Sequence, residues 1–298
     1  MSRRFLIIAL LCLLCILQPG AASADSRGSE RQVPAGQAPA GDGDEGSHPP
    51  ASIETQWGGH VQLQGTLSRP GERSYFQSLD TGDLYDGSVE TRLRGKVLFG
   101  ERASLETHYE AVLAGGDTRR SGNALRQLIG GSSRSFPSAD LTPTDDRRLL
   151  DLSSTIDEGS GQVLYHRLDR LVLSLRPAWG VVRIGRQAVT WGNGLLFNPM
   201  DLFNPFSPSD IERDYKRGDD MASLQVPFGR RGDLEVLYVP RRDPVRERLN
   251  WDQSSLAGKI HLGCGTTDYD VLLARHYDDT VVGLGSAGYV GGAAWRLD

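Results

Sequence analysis

The chain has 298 residues, of which 7% are aromatic and 24% charged, and it carries 36 glycines and a formal net charge of −5. That length holds one large β domain or two ordinary ones. Net negative charge with no clustered basic stripe excludes nucleic acid as a partner.

The chain opens with Arg3 and Arg4, an apolar run from Phe5 to Leu17, a Gln18-Pro19-Gly20 break, and the small residues Ala22-Ser23-Ala24 before Asp25. This pattern predicts a cleaved secretory signal peptide over 1–24. The run is shorter than the roughly 20 residues of a membrane-spanning helix. Cys12 and Cys15 lie inside it, each preceded by leucine rather than by the small residue of a lipoprotein signal. The mature chain keeps only Cys264. It therefore has no intramolecular disulfide, and a small buried or lipid-facing thiol is expected. Residues 25–52 are rich in Gly, Pro, Ala, Ser and charge, without an aromatic, and read as a disordered exported tail.

From residue 53 the texture changes. Ile53, Thr55, Trp57, Val61, Leu63 and Leu67 alternate with Glu54, Gln56, His60, Gln62, Gln64 and Thr66. The same period of two recurs over 89–99 and 103–113, and more weakly near 163–176, 181–190, 221–228, 233–240, 256–264, 268–277 and 288–297. No convincing amphipathic helix is read. Several strands match the roughly 9–11 tilted residues of a membrane strand better than the 5–6 of a soluble one. Connections alternate too: long at 68–88, 115–162, 191–220 and 241–255, short at Gly100–Arg102, Pro177–Gly180, Gly229–Gly232 and Gly265–Thr267, with 278–287 of middle length. Short periplasmic turns opposite long extracellular loops are the mark of an outer-membrane barrel. Trp57, Phe99, Trp179, Phe228 and Trp295 fall near the short-turn end, as one aromatic girdle does. The expected fold is all-β: an antiparallel up-and-down transmembrane β-barrel over 53–298. An outer-membrane barrel ordinarily ends on a strand with a terminal aromatic. This chain stops at Trp295-Arg296-Leu297-Asp298, so either the final strands are missing or it closes by other means, and an incomplete barrel is the expectation.

The polar alternate face then lines a wet interior. Pairing across the Gly100–Arg102 turn sets Lys96 against Glu106, Arg94 against His108 and Arg92 against Glu110, as a transverse charge ladder. Each such pair contributes roughly 0.2–1 kcal/mol, and the ladder serves either mutual charge satisfaction or a field that selects solutes. A two-residue turn at Ala178-Trp179 pairs Leu175 with Val182, Ser174 with Arg183 and Arg170 with Gln187, so that Arg170, Arg183 and Gln187 line one wall. Arg186 faces lipid near the outer rim, or a bulge turns it inward.

Beyond Ala188, Trp191-Gly192-Asn193-Gly194 permits a tight turn, and Pro199 and Pro205 oppose both strand and helix. Leu195, Leu196, Phe197, Met200, Leu202, Phe203 and Phe206 are too apolar for a solvated loop. The segment is expected to fold back into the barrel as a constriction or plug that includes Trp191 and is anchored by Phe197, Phe203 and Phe206. The alternative is a cap of loops packed on one another outside.

Val182-Arg183-Ile184-Gly185-Arg186-Gln187, Trp191-Gly192 and Asn204-Pro205, taken in this order, resemble a porin-like family of bacterial outer-membrane β-barrels over 168–210. The resemblance implies fold and location in the outer membrane of a Gram-negative cell more firmly than a substrate, and it carries no catalytic residues. The expected function is a porin-like channel for passive or weakly selective passage of small solutes. The alternative is a non-transporting barrel for surface-polymer attachment or assembly. Membrane lipid, lipopolysaccharide, small solutes and the outer-membrane assembly machinery are the expected partners. No enzyme is read, because the histidines are scattered and no Gly-x-Ser-x-Gly accompanies them. No cofactor is expected. No His/Asp/Glu cluster has metal-ligand spacing, and the acidic loop 139–158 is the sole suggestion of calcium.

Overall fold

The strands follow from the alternation: a residue pattern of period two places one set of side chains on each face of an extended chain. A computed structural model describes residues 53–71, 74, 76, 82–129, 144–194, 198–203 and 215–298. The expected signal peptide and tail, and the anchors Phe197 and Phe206, lie outside the described residues. The elements in order are β1 (Ile53–Ser68), β2 (Leu84–Phe99), β3 (Ala103–Gly116), α1 (Asp117–Ile129), β4 (Ser153–Glu158), β5 (Gln162–Leu175), β6 (Val181–Gln187), β7 (Asp219–Phe228), β8 (Gly232–Val239), β9 (Ser255–Cys264), β10 (Thr267–His276), β11 (Asp279–Val290) and β12 (Ala293–Leu297). The strands form one 12-stranded sheet in the order β1-β2-β3-β5-β6-β7-β8-β9-β10-β11-β12, with β4 paired to β5 off this path. Every pairing is antiparallel. Among the described residues β1 and β12 do not pair with each other. Because each step along the path reverses direction, these two edge strands run the same way.

The all-β, antiparallel class is as expected, and the first two hairpins have the expected register. Lys96 pairs with Glu106, Arg94 with His108 and Arg92 with Glu110 across β2 and β3. Leu175 pairs with Val182 and Ser174 with Arg183 across β5 and β6. Three expectations are corrected. First, α1 is a helix where none was read. Its Ser121, Gly122 and Asn123 are poor helix formers, but it packs against β2 and β3. Asp86 accepts from Thr118 N at 3.0 Å at its start, and Arg119 is buried against Glu158 at 2.7 Å. Second, β4 lies within the long connection. Third, one strand at 288–297 is two strands, β11 and β12, turning at Gly291-Gly292. Tyr277-Asp278 joins β10 to β11 with Tyr277 at φ 56°. The alternation of long and short connections therefore ends at that hairpin.

The two faces differ sharply. One carries Leu63, Leu93, Leu105, Leu173, Ile184, Ile260, Leu273, Val282 and Leu284, all exposed. We call it the apolar face. The expected girdle lies on it, with Trp57, Phe99, Trp179 and Phe228 exposed and Trp295 partly covered. Cys264 is exposed. Three of these aromatics sit on glycines of the adjacent strand. A Cβ on Gly95 would lie 2.6 Å from the Trp57 ring, one on Gly232 2.7 Å from Phe228, and one on Gly288 3.0 Å from Trp295 Nε1. The ring covers backbone that the glycine leaves bare, which is the aromatic rescue of a strand glycine.

The opposite, polar face holds the core. Met221, Leu237, Val239, Ala257, Leu272 and Ala274 from β7 to β10 are buried there against Trp191, Met200 and Phe203. A smaller cluster joins Val112, Ala114, Val163 and Tyr165 on β3 and β5.

The sheet has one interruption. The edge of β5 away from β3 is shared, with β6 pairing at Leu171–Leu175 and β4 at Val163–Arg167. Segment 144–152 lies at this junction: Leu168 N donates to Leu152 O at 2.9 Å on one side, and Arg242 N to Arg147 O at 2.9 Å on the other.

Candidate functional site

The chain between β6 and β7 turns onto the polar face and is tied down at both ends. Gly192, at φ +117°, makes the turn, and a Cβ there would lie 1.8 Å from the Asn198 side-chain amide. Trp191 is 2% exposed. Its ring meets Phe203 edge-on at 5.4 Å, and its Nε1–H donates to Glu235 on β8. The backbone N–H groups of Asn193 and Gly194 both reach the Asp298 carboxylate, at 2.9 and 3.1 Å. Asn193 Nδ2 donates to Asp270 on β10 at 3.0 Å. Asn198, with its amide oriented to donate, reaches Asp298 Oδ2 at 2.8 Å. This end of the segment is held against β8, β10 and the end of β12.

The other end reaches β2, β3 and β5. The Tyr215 hydroxyl donates to Glu90, and lies 3.2 Å from Glu110 Oε2, while the Arg92 guanidinium stacks 3.5 Å above the Tyr215 ring. Burial first, and the Glu90 carboxylate second, push the Tyr215 phenol well above its usual range, so that it remains a donor. Gly218 N donates to Asp169 at 3.1 Å, and a Cβ on Gly218 would lie 2.0 Å from Asp169 O, so only glycine permits this approach. Lys216 pairs with Asp201 inside the segment, and its carbonyl accepts from Arg170.

Beneath Tyr215 lies a buried charge network. Arg92 pairs with Glu110 at 3.2 Å and Asp169 at 2.6 Å, Arg167 with Glu110 at 2.8 Å, and Arg170 with Asp169 at 2.7 Å. Arg92 Nη2 meets His108 Nδ1 at 3.1 Å, and His108 Nε2 meets Glu106 at 3.0 Å. This geometry assigns His108 the tautomer that accepts at Nδ1 and donates at Nε2. Opposed charges are therefore not all partners. Of the three pairs in the ladder, only Arg92 and Glu110 form an ion pair. Glu106 turns to His108 rather than Lys96. Among the described residues Lys96, Arg94 and Arg183 form no ion pair. Gln187, 5% exposed, donates to Met221 O at 3.2 Å. Gln187 and Arg170 lie just beyond the last registered pair of β5 and β6.

Arg186 resolves in favour of neither expected environment. It aligns in register with Ile184 of the apolar face but is 1% exposed, because segment 144–152 covers it. Its guanidinium donates to Asp220 at 2.8 Å, Asp145 at 3.0 Å and Leu150 O at 2.7 Å. Asp220 is its register partner on β7, and Leu150 N donates to Asp220 at 2.7 Å. Arg148 and Arg241 extend the network to Asp219.

Sequence reasoning missed Arg167, Asp169, Tyr215, Glu235, Asp145 and Asp298. A signal existed for some. Arg167-Leu168-Asp169-Arg170 breaks the period of two, and the register shifts there, which puts both Asp169 and Arg170 on the polar face. Arg186-Gln187 and Asp219-Asp220 break it likewise on paired strands. Tyr215 and Asp298 had no local signal. Among the described residues no group of three or more His, Cys, Asp or Glu is placed to hold a metal ion. Comparison with protein-family models, with curated proteins and with solved structures finds no match.

Proposed function

We propose that the chain is a porin-like outer-membrane β-barrel that passes small solutes, narrowed by the segment between β6 and β7. The observation that carries this reading is the double anchoring of that segment. It is held to β8, β10 and Asp298 at one end and to β2, β3 and β5 at the other. In a sheet rolled with its polar face inward, such a strap crosses the lumen. The exposed apolar face supports a lipid environment, because a soluble sheet does not leave so wide an apolar surface in water. Antiparallel closure between two edges that run the same way takes an odd number of further strands between them. The resemblance of 168–210 to porin-like barrels agrees with this reading. The test is single-channel recording in planar bilayers. Deleting 195–208 raises conductance while the protein still folds; unchanged conductance in the folded deletion variant overturns the constriction. The apolar packing of Trp191, Met200 and Phe203 against β7–β10 favours a second reading, a plugged barrel for surface-polymer attachment or assembly. That reading gains if the folded protein conducts nothing.

A further inference from the structure

The cations that β2 to β6 place on the polar face fall into two groups. Arg92, Arg167 and Arg170 are each bonded to Glu110 or Asp169. Nearer the short-turn ends of β2 to β6, Arg94, Lys96, Arg176 and Arg183 form no ion pair among the described residues. Two of these stand together with serines. Register places Ser104 of β3 beside Ser174 of β5, Ser174 beside Arg183 of β6, and Arg183 beside Ser223 of β7. Arg176, which follows β5, donates from Nη1 to Ser104 Oγ at 3.4 Å. Ser104 and Ser174 are 2% and 8% exposed, and neither hydroxyl donates to a partner among the described residues. This row carries no carboxylate from β3 to β7.

We propose that Arg176, Arg183, Ser104 and Ser174 form an oxyanion subsite that takes soluble phosphate- or carboxylate-bearing solutes. The chemistry is direct. Guanidinium forks donate paired N–H groups to planar or tetrahedral oxyanions, and hydroxyls with free protons add further donors. Adjacent strands lie about 4.8 Å apart, so Ser104, Ser174 and Arg183 span one small anion. Neither Arg176 nor Arg183 has an ion-pair partner among the described residues, so an arriving anion meets charge that no carboxylate has already neutralised. Arg94 and Lys96, across β3, extend the positive wall as an approach path. The site is on the polar face, away from the exposed leucines, so its anion comes from solution rather than from a lipid headgroup. The inference rests on the channel reading for its biological use, but not for the binding itself.

The experiment is calorimetric titration of inorganic phosphate into the detergent-folded, lipid-free protein, paired with reversal potentials in a potassium chloride gradient. Wild type is expected to bind phosphate and to prefer chloride. The R176Q/R183Q double variant is expected to bind about tenfold more weakly or worse, as loss of charge-assisted hydrogen bonds implies. It is also expected to lose the chloride preference while passing neutral sugars in liposome swelling as wild type does. Phosphate binding that is absent from wild type, or unchanged in the double variant, overturns the subsite. Phosphate binding that is lost in the double variant of a protein passing neither ions nor sugars upholds the subsite and refutes the channel. Displacement of the bound phosphate by added anionic lipid but not by a soluble carboxylate overturns the soluble source.

Discussion

Arg183 and Arg186 are three residues apart on one strand and live in opposite worlds. Arg186 is buried, and carboxylates on β7 and in segment 144–152, together with a backbone carbonyl, take up its guanidinium. Arg183 faces a row of serines and no carboxylate. The difference teaches where charge serves the fold and where it serves something outside it. A guanidinium whose donors are all spent on the chain locks elements together. One with no carboxylate partner keeps its donors available to a visitor.

The sharpest way to break this comparison is to remove each charge. Arg186→Met leaves Asp220 buried without a cation and Asp145 with Arg148 alone, and breaking such a pair is expected to cost about 3–5 kcal/mol. Arg183→Gln is expected to leave stability nearly unchanged. Urea midpoints of the folded protein in vesicles measure both; equal effects would abolish the distinction. The faces can be set against each other in the same way. Leu93→Arg on the apolar face is expected to destabilise by about 2–4 kcal/mol if that position lies at mid-bilayer, whereas Gln62→Arg on the polar face costs little. A reversed order in folding yield into vesicles would exchange the two faces.

The strap gives a smaller effect. Tyr215→Phe keeps the ring over Arg92 but deletes the hydroxyl bonded to Glu90 and Glu110. A hydrogen bond to a charged group contributes about 1.5–3 kcal/mol, so faster amide exchange at Gly218 and noisier single-channel current are expected, without loss of the folded state. The smallest effect is pH-dependent. Burial pushes the Asp145 carboxyl up, but Arg186 and Arg148 outweigh it, and the net shift is downward. A lowered carboxylate contributes stability that is complete above its unfolded value of about 3.9 and is lost as pH falls through the folded value. Segment 144–152 is therefore expected to stay docked to about pH 4 and to loosen only below it. Exchange of the Leu150 and Leu152 amides, held by Asp220 and Asp145 and normalised for intrinsic rate, reads this directly. Loosening at neutral pH would count against Asp145 as the clasp.

Much of the sheet was legible because alternation is a local property. Period two over 53–67 and 89–113 set the strands and faces, and the short Gly100–Arg102 turn set the register. The bulge at Asp169 was legible in principle, as three charges where alternation allows two. α1 was not, because its helicity comes from packing on β2 and β3 and from Asp86 at its start. Nor was β11, whose Gly283, Gly285 and Gly288 dilute the apolar signal. At the candidate site, Met200 and Phe203 announced a buried segment by being too apolar for a solvated loop, but their partner surface lies on β7–β10.

The sequence by itself determined which residues share a face, since a pleated strand alternates whatever surrounds it. Only the tertiary structure decided which charges are partners. Lys96 stands opposite Glu106 in register, yet Glu106 turns to His108, and Arg92 finds its second carboxylate on Asp169, 77 residues further along the chain. Arg186 was undecidable from its strand alone, because the segment that buries it arrives from another part of the chain. Electrostatic pairing is settled by three-dimensional distance and by which groups lose water together. Neither is written in the spacing of residues along one strand.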